Sequence, residues 1–206
     1  YQSGHPERQR FMCLSESYHG ETIGALSVGS MDLYARIYKS MMMNNIHFDG
    51  LDCYRCPYGR TRETCDCECF VGAEKAFAAY GKETAALIVE PILQGAAGMR
   101  IYPPEYLRRL RRLCDDYGVL LIDDEVAAGF GRTGKMFAIE HAGVSPDILC
   151  TSHGLTGGYL PDHRDIHHFT PCQIEVIIHD FDCTRLCRIT TDISVFLKCL
   201  QVGMDG

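Results

Sequence analysis

Long apolar runs are missing from this 206-residue sequence, in which no stretch approaches the roughly 20 residues of a membrane-spanning helix. No signal peptide is visible. An excess of positive charge is missing too, because 27 aspartates and glutamates outweigh 20 lysines and arginines, for a formal net charge of −7. That balance argues against a nucleic-acid partner and favours solubility. We therefore expect a soluble protein that binds neither a membrane nor a nucleic acid.

The cysteine framework of a small secreted domain is also lacking, although the chain contains 12 cysteines. Cys13, Cys114 and Cys150 stand singly in apolar segments, where a free cysteine behaves as a small hydrophobic residue. This distribution favours a reducing compartment. The exception is a loop over residues 44–70 that has no steady periodicity. The loop contains Cys53, Cys56, Cys65, Cys67 and Cys69.

Two interpretations of this cysteine-rich loop stay open. Structural zinc sites use paired C-x(2–4)-C units, and Cys53-x-x-Cys56 has that spacing. The second half, Cys65-x-Cys67-x-Cys69, departs from a standard finger. The spacing therefore favours a loop of free thiols, with a labile disulfide as a further possibility, over a metal site.

Apolar segments of strand length alternate with longer segments of helical periodicity as far as residue 151. The predicted strands cover residues 10–14, 85–89, 119–122 and 147–151. The predicted helices cover residues 21–28, 31–43, 71–80 and 102–117. This alternation implies right-handed crossovers and an α/β fold with a mostly parallel sheet and flanking helices.

Local signals refine the predicted helices. Gly81 is expected to end the third helix as its C′ residue. The three methionines at positions 41–43 are expected to fill a core or an interface. Arginines cover one face of the last helix, and in so acidic a chain they indicate a solvated face rather than a nucleic-acid patch.

Polar residues follow each of the four predicted strands. In chain order they are Tyr18-His19-Gly20, Glu90, Asp123-Asp124-Glu125 and Ser152-His153-Gly154. Ligands of open α/β sheets bind outside the carboxyl ends of the strands, so we expect one crevice there. For Tyr18, a turn with a simply packed tyrosine remains the alternative.

These residue types suit a pyridine cofactor. An aspartate fixed at a strand end can hold a protonated ring nitrogen by a charge-assisted hydrogen bond, which keeps the ring an electron sink. A tyrosine such as Tyr18 can stack on the ring face. The site then still needs a lysine to carry the cofactor as a Schiff base.

Five stretches carry a resemblance to a known family. They are YHGETIGALSVGS, DCYRCPYG, IVEPILQGAAGM, LLIDDEVAAGFGRTGKMFAIEHAGVSPDIL and GLTGGYLP. Over about residues 8–161 the chain closely resembles the class III aminotransferases, which use pyridoxal 5′-phosphate. The match looks closest to members that transfer the amino group of adenosylmethionine to 8-amino-7-oxononanoate in biotin biosynthesis. The resemblance implies the large domain of a fold-type I transferase, homodimeric assembly, and an amino donor and a keto acceptor as substrates.

The resemblance also implies roles for single residues. Tyr18 matches the tyrosine that lies against the cofactor ring, and Asp124 matches the aspartate that binds the pyridine nitrogen. Glu90 matches a glutamate at the wall of the site. His19 and Val126, neighbours of these residues in the matching motifs, are expected to line the cofactor site as well. A run that looks structural in the family is matched by Glu125, Gly129, Gly131 and Arg132.

One residue departs from the family's pattern at the catalytic position. The family has lysine in Ser-Lys-Gly-Leu-Thr-Gly-Gly where this chain has His153. An imidazole forms no stable imine, although it can still act as a general base near neutral pH. We expect the chain to be inactive as given, because covalent and proton-transfer roles are lost together. The alternatives are a non-catalytic protein that binds a cofactor or partner in the same crevice, and a Cys/His metal-binding module.

The resemblance ends near Pro161. We expect residues 1–161 to be part of the large domain and residues 162–206 to be a divergent tail with apolar patches at 173–178 and 193–200. The polar opening segment reads as the continuation of something upstream, where the family's phosphate-binding Gly-Ser segment is expected, so we interpret the chain as a fragment. The tail's metal-ligating residue types match no standard spacing. They are His163, His167, His168, Cys172, Cys183 and Cys187.

Overall fold

Five parallel strands form the centre of the computed structural model, which describes residues 4–49 and 51–156 and the backbone of residues 174–175, 177–178 and 188–189. The parallel strands are β1 (Arg10–Leu14), β2 (Ile46–Phe48), β3 (Thr84–Val89), β6 (Leu120–Asp124) and β7 (Ile148–Cys150). Their spatial order is β2-β1-β3-β6-β7, and β9 (Ile177–Ile178) pairs antiparallel with β7. The crossovers bring the carboxyl ends of the parallel strands to one edge.

Two short antiparallel pairs accompany this sheet. One joins β4 (Leu93–Gln94) to β5 (Arg100–Ile101), and the other joins β8 (Ile174–Glu175) to β10 (Arg188–Ile189). The first pair directly follows β3, so it belongs to the edge where the parallel strands end.

Five helices flank the sheet or connect its strands within the described residues. They are α1 (Ile23–Val28), α2 (Asp32–Ala35), α3 (Val71–Tyr80), α4 (Pro104–Tyr117) and α5 (His153–Thr156). None of the helices in this described part is long and apolar enough to span a bilayer.

Both faces of the sheet are buried, which explains why its strands are almost continuously apolar. Leu87 and Leu121 face a large cluster that includes Phe77 of α3 and Leu110 of α4. Alternate residues of the same strands face a smaller cluster on the side of α1. The predicted α/β fold, with a mostly parallel sheet and flanking helices, is confirmed.

Helix α4 follows its sequence signals closely. Tyr106, Leu110 and Cys114 are fully buried along one face, as the four-residue spacing requires. Gly118 ends the helix with a left-handed φ of +63°. The helix begins two residues later than predicted, because Pro103 is extended (φ −71°, ψ 144°) and Pro104 takes the first helical position.

The predicted helix over residues 31–43 is confirmed only in part. The segment forms only the single turn α2 and then a 3-10 helix over Arg36–Met41. Leu33, Ile37 and Met41 are 72%, 77% and 65% exposed, so Met41 is not a core residue. With its apolar residues outside the core, no packing stabilises a longer α-helix here.

Two further expectations need correction. Residues 46–48 lie inside the predicted loop 44–70 but form β2, whose Ile46 and Phe48 are buried around an exposed His47. Gly81 ends α3 with a helical φ of −57° rather than in the left-handed conformation of a C′ glycine. The ring of Tyr117 lies against Gly81, so the position needs the absence of a side chain rather than a positive φ.

Candidate active site

Four neighbouring parallel strands each deliver at least one predicted site residue to the same edge of the sheet. In sheet order the strands are β1, β3, β6 and β7. Tyr18 and His19 follow β1, Glu90 follows β3, Asp124 ends β6, and His153 begins α5 after β7. This is the edge at which ligands of open α/β sheets bind.

The packing of β6, together with strand alternation, shows which of its acidic residues faces the crevice. Leu121 packs in the large core cluster and Ile122 in the small one, so residues 123 and 124 point to opposite faces in the same way. Asp124 therefore lies on the face that carries His19. Glu125 points back, where its Oε1 accepts a hydrogen bond from the Ile139 backbone N–H at 2.8 Å.

His19 and Asp124 form the shortest link between two predicted site residues. Nδ1 of His19 lies 2.7 Å from Oδ2 of Asp124, and the two side chains are 0% and 5% exposed. The other oxygen of Asp124 accepts the backbone N–H of Val126 at 3.2 Å. Because a carboxylate has about four acceptor positions, Asp124 keeps capacity for one more donor.

Glu90 ties the turn after β1 to the segment after β3. Its Oε1 accepts the Gly95 backbone N–H at 2.9 Å, and its Oε2 accepts the Tyr18 backbone N–H at 3.2 Å. Burial raises the pKa of Glu90, and the charge of Asp124 adds to the rise, while the His19 ring acts in the opposite sense. The crevice thus combines two carboxyl groups with one imidazole.

Tyr18 lies half-buried beside these groups. Its ring packs against the ring of Tyr34 with 5.1 Å between centroids and an interplanar angle of 53°. Its hydroxyl donates to Oε1 of Glu21 at 3.4 Å. Both readings of Tyr18 therefore remain compatible with its position, since a packed ring at the crevice can also present a face to a ligand.

His153 is exposed at the start of α5 and lines a cavity of about 830 Å³. Gly154 and Phe130 line the same cavity, and a Cβ on Gly154 would meet the Phe130 ring at 2.1 Å. Phe130 itself has a left-handed φ of +59°. The described lining of this cavity consists of Ala127, Gly129, Phe130, Gly131, Arg132, His153 and Gly154.

The predicted site residues therefore form two neighbouring groups. Hydrogen bonds join Tyr18 to Glu90 and join both His19 and Val126 to Asp124, and the peptide bond between Tyr18 and His19 connects these two sets. His153 stands with the segment that follows Val126. The backbone between Val126 and Ala127 connects the two groups.

The residues present fit one end of a pyridine cofactor and not the other. The buried carboxylate of Asp124 has spare acceptor capacity and suits a protonated ring nitrogen. His153 has no primary amine, so it cannot carry an aldehyde as an imine. The site fits a cofactor held by its ring nitrogen and not one attached at position 153.

Metal binding receives no support from the described part of the chain. Among those residues, no group of three or more His, Cys, Asp or Glu side chains could hold a metal ion. The eight cysteines that the structure describes are free thiols. The candidate ligands of the tail and its apolar patch 193–200 lie outside the described residues, and of the predicted tail 162–206 only the backbone of β8, β9 and β10 is described.

Sequence reasoning missed the contacts that join these residues. Nothing in the sequence pairs Tyr34 with Tyr18, Gly95 with Glu90, or Phe130 with Gly154. The only available signal was Gly154, whose missing side chain allows the Phe130 ring to approach the backbone closely.

Comparison with known proteins gives consistent matches. A family model described as aminotransferase class-III matches residues 1–170. The adenosylmethionine-8-amino-7-oxononanoate aminotransferase of Nitratidesulfovibrio vulgaris is 48% identical over 158 residues, which are 77% of this chain and 29% of the relative. The leucine/methionine racemase of Thermococcus litoralis is 42% identical over 154 residues, covering 74% of this chain and 34% of the racemase.

A solved structure gives the same match in three dimensions. The amine transaminase of an uncultivated Pseudomonas species, in its PLP-bound form, superimposes with a TM-score of 0.70 at 41% identity. The match covers 77% of this chain and 36% of the transaminase. The chain thus spans about a third of the length of the proteins it matches.

Proposed function

This chain belongs to the class III aminotransferases, and on that basis we propose that it forms part of an enzyme that transfers amino groups with pyridoxal 5′-phosphate. The observation that carries the proposal is the buried His19–Asp124 pair at the carboxyl end of β6. A buried carboxylate with a free acceptor position is what a protonated pyridine nitrogen requires. The bound cofactor would act as the electron sink for the substrate carbon that carries the amino group.

The chain's own residues would hold the ring in place. Asp124 accepts the ring N–H, and His19 with the Val126 backbone keeps its carboxylate in position. Tyr18 presents a ring face at the crevice, and Glu90 fixes the turn that carries Tyr18 by accepting its backbone N–H. Burial raises the pKa of Glu90, so its carboxyl group ionises at a higher pH than that of an exposed glutamate.

The substrates are the finer part of the proposal. Relatives named adenosylmethionine-8-amino-7-oxononanoate aminotransferase recur among the matches, so we propose adenosylmethionine as amino donor and 8-amino-7-oxononanoate as acceptor, a step of biotin biosynthesis. A relative named leucine/methionine racemase also matches, and we propose proton movement at the amino-bearing carbon as chemistry common to both kinds of reaction. We further propose that the complete protein is a cytoplasmic homodimer, as the family resemblance implies.

His153 limits what this chain does alone. Because position 153 has no lysine, we propose that this chain binds the cofactor without a covalent link and does not transaminate. The alternative, a non-catalytic cofactor-binding protein, uses the same crevice and the same residues. The histidine at position 153, where the family has lysine, favours this alternative.

Cofactor titration of three forms of the chain tests this proposal. Fluorescence-monitored binding of pyridoxal 5′-phosphate is compared for the wild type, Asp124→Asn and the exposed-site control Asp116→Asn. Losing the charge-assisted hydrogen bond removes about 1.5–3 kcal/mol, so Asp124→Asn should bind roughly 10- to 100-fold more weakly. The control should match the wild type.

Borohydride trapping and peptide mapping separate the covalent role from binding. The wild type should give no adduct at position 153, and His153→Lys should give one there. Equal binding by the wild type and Asp124→Asn would contradict the assigned ring-nitrogen site. A wild-type adduct on another lysine that disappears in Asp124→Asn would contradict the claim that the lysine role is lost.

A further inference from the structure

The cysteine-rich loop forms the wall of a second cavity, separate from the crevice at Asp124. This cavity of about 690 Å³ is lined by four thiols, those of Cys53, Cys56, Cys65 and Cys67. Arg132 lines both this cavity and the one beside His153, so the two are neighbours. None of these thiols has a role in the proposed transamination.

Cys53 and Cys56 are placed at the two ends of one turn. Tyr54 and Arg55 form its centre, and the backbone N–H of Arg55 donates to Oδ1 of Asp52 at 2.8 Å. The ends of such a four-residue turn lie within about 7 Å of each other. A disulfide spans Cα separations of about 4.4–6.8 Å. The pair can therefore be bridged by rotating side chains, without moving a strand or a helix.

We propose that Cys53 and Cys56 are a redox-active dithiol that a low-molecular-weight disulfide, such as oxidised glutathione, converts into an intramolecular disulfide. One thiolate attacks a sulfur of the small disulfide and releases one small thiol. The second thiolate attacks the mixed disulfide and releases the other. Cys53 and Cys56 together lose two electrons and two protons, and the small disulfide leaves as two thiols.

The other cysteines of the loop are poorer partners for this reaction. Burial is the main cause that raises the pKa of Cys67 to about 12 and that of Cys69 to about 11, and neighbouring thiols contribute to both values. Cys67 is also buried, while Cys53 and Cys56 are half-exposed. Since the thiolate is the nucleophile, Cys67 and Cys69 react slowly at neutral pH. The Sγ of Cys65 accepts the backbone N–H of Cys67 at 3.3 Å.

The pKa of Cys53 is itself raised, first by burial and then by Cys65 and Cys56. The thiolate fraction of Cys53 therefore grows as pH increases through the neutral range and above. We expect disulfide formation to accelerate with pH for that reason. If a metal ion held the two thiols instead, their protection from alkylation would not depend on an added oxidant.

Peptide mapping of the full chain tests the pair directly. Trypsin cuts after Lys39, Arg55 and Arg60, so Cys53 and Cys56 fall in separate peptides, residues 40–55 and 56–60. The reduced protein is equilibrated with defined mixtures of reduced and oxidised glutathione, alkylated, digested and analysed by mass spectrometry. We expect the two peptides to appear joined, two hydrogens lighter than their sum, and to separate again on reduction.

Matched variants assign the bond. Cys53→Ser and Cys56→Ser should each abolish the joined peptide, and Cys65→Ser should retain it. Fully alkylated thiols at every glutathione ratio, or a bond from either residue to Cys65, Cys67 or Cys69, would overturn the proposal. Stoichiometric zinc in the purified protein that shields the four cavity thiols from alkylation would overturn it in favour of a metal site. Because the wild-type map alone gives the pairing, a variant that fails to fold leaves the test intact.

Discussion

At the tip of β6, three consecutive acidic residues divide between two environments. Asp124 faces the crevice and pairs with His19 at 2.7 Å. Asp123 is 0% exposed on the opposite face, and neither of its oxygens nor Oε2 of Glu125 has a hydrogen-bond donor among the described residues. Burial raises the pKa of Asp123 well above its usual range, and the Glu125 carboxyl raises it further. A proton shared between the two carboxyl groups satisfies them both.

This shared proton predicts that the chain loses stability as pH rises. An acid whose folded-state pKa is raised stabilises the fold below its unfolded pKa of about 3.9, and this contribution is lost as pH rises toward the folded-state pKa. Asp123→Asn keeps a donor for Glu125 at every pH. We expect it to raise the free energy of unfolding at pH 8 by about 1.5–3 kcal/mol relative to the wild type.

Urea unfolding at several pH values measures this effect. The exposed-site variant Asp116→Asn should follow the wild-type pH dependence, and Asp123→Asn should flatten it. A wild type whose stability increases steadily from pH 5 to pH 8, with Asp123→Asn following in parallel, would contradict the shared proton.

Single residues of the site were only partly predictable from the sequence. Their positions at strand ends followed from hydrophobic patterning, because parallel strands must end at one edge. The pairing of His19 with Asp124 joins positions 105 residues apart, and no local signal reports so distant a contact. Likewise, alternation separates Asp123 from Asp124 but does not say which of them faces the crevice.

At the level of elements, the end of α3 packs against α4 at Gly81, a residue that has no side chain. A Cβ on Gly81 would lie 2.4 Å from Cδ1 of Tyr117, which also packs its ring against Phe77 at 5.6 Å between centroids. Helix propensity alone favours alanine over glycine by about 0.8–1 kcal/mol. Overpacking a filled contact costs about 1–3 kcal/mol, so the steric effect outweighs propensity.

We therefore expect Gly81→Ala to destabilise the chain by up to about 2 kcal/mol, the steric cost less the gain in helix propensity. In a Tyr117→Ala background the ring is gone, and the same substitution should become neutral or stabilising. A double-mutant cycle in urea measures the coupling between the two positions. Stabilisation by Gly81→Ala in the wild-type background would show that the ring moves aside at little cost.

Elements with a buried face were predictable, and those without one were not. Helix α4 buries apolar residues at helical spacing, and the four predicted strands are short, almost continuously apolar segments because both faces of the sheet are buried. Strand β2 was missed because three residues are too few to show alternation, although its pairing with β1 buries two of them. The segment at 31–43 has helical spacing but packs on no core within the described residues, so periodicity misled there.

On the scale of the whole molecule, the exposed apolar residues of the segment 32–41 stand out. Leu33 and Ile37 are more than 70% exposed, and Tyr34 of the same segment contacts the site residue Tyr18. Exposed apolar clusters of this kind mark surfaces of association.

We expect the chain, purified by itself, to self-associate through this segment. Sedimentation velocity over a range of concentrations should show a reversible larger species. Burying one isoleucine side chain contributes about 1.5–3 kcal/mol, so Ile37→Glu should weaken the association at least tenfold. Met136→Glu is the matched control, because Met136 is 54% exposed outside the segment and its replacement adds the same charge. Equal effects of the two variants would attribute the change to net charge, and a monomer at all concentrations would contradict the assigned surface.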